Sequence, residues 1–226
     1  MAVGQASLQK RFLVIMHRLL AIVSTGLLAS ATLAQGTAQA SAADPVIPVN
    51  GGATICLTAA AAASLTADGV TPSAVAPATL DTSDSTPCAT FPKASGNVAL
   101  DLSSGGADFP GGLTFTRSRD SARLDLTHVH ADLPRSTITA QAAVNGAAPT
   151  GIDLVRYTSG PMNFITTATK VSGTNVPLRL EPGGATAFTQ AFGQAPVATG
   201  ADLFLATGHF DMISTLPSIG TRPSHT

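Results

Sequence analysis

Apolar and polar residues alternate along the middle of the chain. Leu113 and Phe115 alternate with threonines, and Leu124 and Leu126 alternate with Arg, Asp and Thr after a charged turn. A third segment, residues 137–144, repeats the same period of two. This period is typical of strands with one buried face. The pattern therefore predicts three successive antiparallel strands, with the rest of the domain flanking them.

Two short stretches predict helices. Residues 59–67 are rich in alanine, follow Thr58 as a favourable N-cap, and end at Gly69. The second stretch has Pro182 in its first turn and ends at Gly193. Each stretch follows an alternating segment, so we expect two strand-helix units, with one helix at each end of the sheet system.

The remaining segments complete a mainly β domain. Residues 70–87 are rich in proline and lack a clear period, which predicts an ordered loop. Alternation predicts further strands near Val98 and in residues 152–157, 163–180 and 201–212. We expect an antiparallel β-sandwich or barrel with two short helices, in one domain.

The start of the chain has the composition of a secretory signal. A basic region precedes an apolar run at residues 19–33, and small residues near residue 40 supply a cleavage site. The run is short and diluted by polar residues, so no stable membrane span is expected after cleavage. The expected organisation is a signal peptide at 1–42, an extended lead-in at 43–52, the β domain at 53–213 and a flexible tail at 214–226. The protein is thus expected to be secreted and extracellular.

Charge and composition narrow the possible partners. The chain has 12 basic and 13 acidic residues, so long-range attraction to nucleic acid or an anionic membrane is not expected. It has no Trp, one Tyr and 21 Gly, so small side chains must build much of the core.

Cys56 and Cys88 are the only cysteines. Both lie in the part that we expect to be exported, and in an oxidising compartment the default is a disulfide, which contributes about 3 to 4 kcal/mol. A metal site or a reactive thiol is the alternative. The chain has no C-x-x-C motif and no histidine close in sequence to either cysteine, so the sequence does not favour this alternative.

Three stretches, residues 57–80, 91–118 and 124–146, resemble the Htaa-type domain of exported actinobacterial proteins, which include proteins of haem-uptake systems. They correspond to a helix and loop, a strand pair joined at a Gly-Gly turn, and a hairpin with Asp132 at an acidic position. The resemblance implies an antiparallel β domain that acts outside the membrane, with haem carriage as one function. In haem-binding members an early Tyr ligates the iron and a His supports it. Here the early strand contains Cys56, and the only tyrosine is Tyr157.

The histidines form the sharpest chemical hypothesis. His128 and His130 are two residues apart, so a regular strand places both on the face of Leu124 and Leu126. His-x-His is a metal-ligand spacing, and His209 can join it if the last strand lies alongside. The alternative is that these histidines are structural or exposed at the sheet margin. The candidate metal or haem residues are His128, His130, His209 and Tyr157.

Arg117, Arg119 and Arg123 surround one turn. This cluster predicts either an anion site or a solvated hairpin tip.

No hydrolase, metalloprotease or phosphate-loop motif is present. Folding can still bring scattered carboxylates together, so an exported enzyme is a third alternative. The sequence predicts a secreted, non-enzymatic binding or surface-interaction domain without a cofactor, whose partner is an unknown small ligand or surface protein. The alternative is an extracellular haem or metal carrier.

Overall fold

The computed structural model describes residues 46–99, 103–158, 164–167 and 169–212. The predicted signal peptide and tail lie outside these residues. The described part contains eleven strands and two helices. The strands are β1 (Val46–Leu57), β2 (Val70–Val75), β3 (Thr79–Asp81), β4 (Cys88–Ala99), β5 (Gly105–Arg117), β6 (Ala122–Asp132), β7 (Thr137–Val144), β8 (Thr150–Tyr157), β9 (Phe164–Thr166), β10 (Lys170–Leu180) and β11 (Asp202–Met212). The helices are α1 (Ala59–Ala67) and α2 (Pro182–Phe192).

Eight strands close into an antiparallel barrel in the order β5-β6-β7-β8-β10-β11-β1-β4. The barrel closes because β4 pairs with β5, from Ser95 opposite Asp108 to Val98 opposite Gly105. The three central strands predicted from the alternation are β5, β6 and β7, which are consecutive in the wall. The mainly β antiparallel fold is confirmed, and of the two predicted architectures it is the barrel. Strand β1 begins at Val46, so it takes in residues 46–52 of the expected lead-in.

The loop predicted at residues 70–87 is wrong, because it contains β2 and β3. Strand β2 pairs with the second half of β5, and β3 pairs with the first half of β4. The two strands fill the space where β4 and β5 diverge. Pro72 is tolerated in β2 because this strand is at the edge of the described sheet, and a missing N–H costs little there. The partners are distant in sequence, so the local pattern could not reveal them.

Both helices form where their caps predict. Thr58 Oγ1 accepts a hydrogen bond from the Ala61 N–H at 3.3 Å, and α2 ends at Gly193 with φ of 88°. The expected placement at opposite ends is wrong. Strands β1 and β10 are both antiparallel to β11, and Leu57 and Leu178 both lie opposite Phe204. The two strands therefore run in the same direction and deliver both helices to one end of the barrel.

Two groups of buried apolar residues fill the domain. The larger core includes Phe115 and Leu124 of the barrel and Phe188 of α2. A smaller cluster joins four strands. It consists of Val49, Val98, Val171 and Met212.

Candidate functional site

A cavity of about 150 Å³ lies inside the barrel. All eight barrel strands contribute residues to its lining, which includes members of both hydrophobic clusters. Each lining residue is aliphatic, aromatic or glycine, and Tyr157 alone among them has a polar side-chain atom. The site therefore suits an uncharged, apolar molecule.

Small side chains leave this space open. An eight-stranded barrel is just wide enough for side chains to fill it or for one small ligand to be held. Here several inward positions belong to alanine or glycine, so the walls end short of the centre. These positions are Ala53, Ala107, Ala131, Gly173, Ala206 and Gly208.

Three phenylalanines form a connected group along the cavity wall. The ring centroids of Phe91 and Phe109 are 5.9 Å apart, with an interplanar angle of 79°. Those of Phe109 and Phe210 are 6.0 Å apart at 70°. Both contacts have the edge-to-face geometry that aromatic rings favour. Phe109 is thus at the centre of an aromatic surface that faces the cavity.

Tyr157 is the last residue of β8 and lines the cavity, and only 8% of the residue is exposed. Its hydroxyl donates a long hydrogen bond of 3.5 Å to the backbone carbonyl of Asp132. Burial, and to a smaller degree the negative charge of Asp132, raise the pKa of Tyr157 to about 12. The side chain is therefore a neutral phenol at physiological pH, and it adds no charge to the wall.

His128 and His130 do not continue the face of Leu124 and Leu126, so that expectation is wrong. The β6–β7 ladder shifts register between Thr127 and His130, and His128 has φ of 51°. A bulge of this kind inserts one residue and reverses the alternation. The inward series after Leu126 accordingly continues through Val129 and Ala131, which line the cavity.

The two histidines have separate polar neighbours. His130 Nδ1 is 2.8 Å from Asp108 Oδ1 of the adjacent strand. His128 Nδ1 is 3.2 Å from Thr127 Oγ1.

His209 lies far along the sheet from the other histidines. Strand β11 is between β10 and β1, so it does not lie alongside β6. His209 Nε2 is 3.9 Å from Asp211 Oδ2, and both residues line a surface groove. Within the ranges that the structure describes, no group of three or more His, Cys, Asp and Glu residues is placed to hold a metal ion.

The four predicted ligands do not gather around one point. Tyr157 faces the inside of the barrel, His128 and His209 are exposed, and His130 is half-buried on β6. Haem iron therefore has no converging set of ligands among these four residues.

Arg117 differs from the other arginines of its turn because it is buried. Its Nη1 donates to the Phe192 carbonyl at 2.6 Å, and its Nη2 donates to Asp120 at 2.7 Å. The hydrogen bonds from Arg117 are the main cause that lowers the pKa of Asp120 to about 2. Arg117 therefore joins the β5–β6 turn to the end of α2. No local sequence pattern indicates this contact, since 75 positions separate the partners.

Neither α1 nor α2, the helices of the described ranges, is long and apolar enough to cross a membrane.

Comparisons with known proteins give one informative likeness. No family model matches the chain, and no curated protein matches it. The C-terminal domain of HtaA from Corynebacterium glutamicum is similar with a TM-score of 0.51 and 14% identity, over 72% of this chain and 97% of that one. The N-terminal domain of HtaA from the same organism gives a TM-score of 0.46 and 14% identity, over 73% of this chain and 98% of that one. The first likeness shows that the chain has an HtaA-like fold.

Proposed function

We propose that this protein is an extracellular, non-enzymatic binding domain that holds a small, uncharged, apolar molecule inside its barrel. The single observation behind the proposal is the apolar cavity of about 150 Å³. Apolar cavities of this size in other proteins stay dry and bind molecules such as benzene. The cavity is thus matched in size and polarity to a ligand of about six carbon atoms.

The energetic cost of an empty cavity supports a role in binding. Space that side chains leave unfilled removes van der Waals contacts from the residues around it, so an incompletely packed barrel is less stable than one with a filled core. A bound apolar molecule recovers part of this cost, because it restores the missing van der Waals contacts.

The disulfide supports the extracellular part of the proposal. Cys56 and Cys88 are joined, and disulfides persist mainly in oxidising compartments. The secretory composition of residues 1–42 agrees with that location.

Titration of the purified full-length protein with benzene tests the proposal. Saturable binding at one site is expected, with a raised melting temperature and NMR shifts confined to residues that line the cavity. Benzoate is the matched control, because its charge should exclude it from a wall without ionic partners. The absence of saturable benzene binding, or equal binding of benzoate, would contradict the proposal.

Haemin tests the alternative carrier function. If the alternative holds, haemin binds with a shifted Soret band, and Tyr157→Phe or replacement of the three histidines abolishes the shift. An unchanged haemin spectrum would exclude the carrier function.

A further inference from the structure

We infer that the cavity selects an aromatic ring over an aliphatic ring of the same carbon number, so that its ligand class is small, uncharged aromatic compounds. This inference rests on the proposed function. It comes from the side chains that form the wall, whereas the proposed function depends on the size and polarity of the space.

Aromatic side chains are concentrated around the cavity. The chain has nine Phe and one Tyr, and five of these ten residues line this one space. In a chain that is only 4% aromatic, this concentration makes the wall far more aromatic than the protein as a whole. The five residues are Phe91, Phe109, Tyr157, Phe204 and Phe210.

The arrangement of the rings leaves them able to bind another ring. Phe109 contacts Phe91 and Phe210 edge to face, with centroids 5.9 and 6.0 Å away. An aromatic ring has a negative face and a positive edge, so a bound ring can extend this series in the same geometry. A saturated ring of the same carbon number is bulkier, is not flat and lacks this quadrupole. Ring contacts of this kind contribute beyond the burial of surface.

A comparison of benzene binding with cyclohexane binding must be corrected for their different solubilities in water. Cyclohexane and benzene differ in their transfer from water, and that difference is the same for every variant of the protein. The informative quantity is therefore the ratio of benzene affinity to cyclohexane affinity, compared between wild type and variant, as in a double-mutant cycle.

Two substitutions test the wall. Phe109→Leu removes the central ring, and it should lower the benzene-to-cyclohexane ratio by about two- to tenfold. Phe210→Leu is the second variant, because Phe210 is only partly buried and its replacement perturbs folding less. Phe188→Leu is the matched control. The ring centroids of Phe188 and Phe115 are 5.1 Å apart in the main core, and Phe188 does not line the cavity. Its substitution should therefore leave the ratio unchanged.

A second readout locates the ligand. Nuclear Overhauser contacts are expected between benzene and the ring protons of Phe109 in the wild-type protein. Equal ratios in wild type, Phe109→Leu and Phe210→Leu would overturn the inference and leave the proposed function standing. Failure of the wild type to bind either hydrocarbon would overturn the proposed function itself.

Discussion

Cys56 of β1 and Cys88 of β4 lie directly opposite each other, with their Cα atoms 4.0 Å apart and their sulfur atoms joined. The bridge spans 32 positions of the chain, which contain α1, β2 and β3. Of these elements, β2 and β3 fill the space where β4 and β5 diverge. The bridge therefore tethers the part of the wall in which β4 pairs with β3 and β5 pairs with β2.

Loss of this bridge should reduce stability substantially. We expect the double variant Cys56→Ala and Cys88→Ala to lose about 3 to 4 kcal/mol of unfolding free energy, because its unfolded chain regains the freedom of a long loop. Urea denaturation of wild type and variant measures the difference. Titration of the denatured, unreduced wild type should find no thiols, and two thiols would contradict the pairing.

Tyr157 can be titrated optically without interference, since the chain has one Tyr and no Trp. Its phenolate absorbance should appear with a midpoint of about 12 in the folded protein. The urea-unfolded chain is the control and should titrate near 10. A folded midpoint near 10 would mean that the hydroxyl is in contact with water.

The same shift makes stability depend on alkaline pH. The folded pKa of Tyr157 is raised above the unfolded value, so its contribution to stability is complete below about pH 10. That contribution is lost as the pH rises through the folded value of about 12. Tyr157→Phe should show a smaller loss of stability over this interval, and an identical loss would contradict the assignment.

Asp120 should have the opposite effect at acidic pH. Its folded pKa is lowered to about 2 by the hydrogen bonds from Arg117. The contribution of the pair is present above the unfolded pKa of about 4 and is lost as the pH falls toward 2. Carboxyl NMR chemical shifts measure the midpoint directly. Asp120→Asn should lack this part of the acid dependence, and a midpoint near 4 in wild type would show that the pair does not form.

His128 should tolerate glycine better than a β-branched residue. Its φ of 51° is in the left-handed region, which valine adopts only with strain. We expect His128→Val to lose about 1 to 2 kcal/mol and His128→Gly to lose little. His130→Val, at the next outward position, is the matched control and should change stability only slightly. Equal effects of valine at both positions would argue against the bulge.

Local signals in the sequence predicted local structure well. Thr58 and Gly193 defined the ends of the two helices, and the alternation around Leu113 and Leu124 defined the central strands. The choice between sandwich and barrel depended on whether β4 meets β5, a pairing that periodicity does not encode. The secretory signal stays a prediction.

Long-range contacts and irregular backbone explain what the sequence did not predict. A single residue in the left-handed conformation at His128 reverses the faces of all residues that follow in β6, and histidine is not the usual residue at such a position. The cavity was hidden for a related reason. In the sequence, Ala107 and Ala206 resemble ordinary strand residues. They leave an empty space only because the closed barrel directs both side chains into its interior.

Filling this space should separate stability from binding. Ala206 lines the cavity, and Ala206→Leu places three more carbon atoms in it. We expect the unfolding free energy to rise by about 1 kcal/mol, as in other cavity-filling variants, and the benzene affinity to fall at least about tenfold. Thr207→Leu is the matched control, because Thr207 lies on the exposed side of the same strand and should leave benzene affinity unchanged. If benzene binds Ala206→Leu as tightly as wild type, the ligand occupies some other part of the molecule.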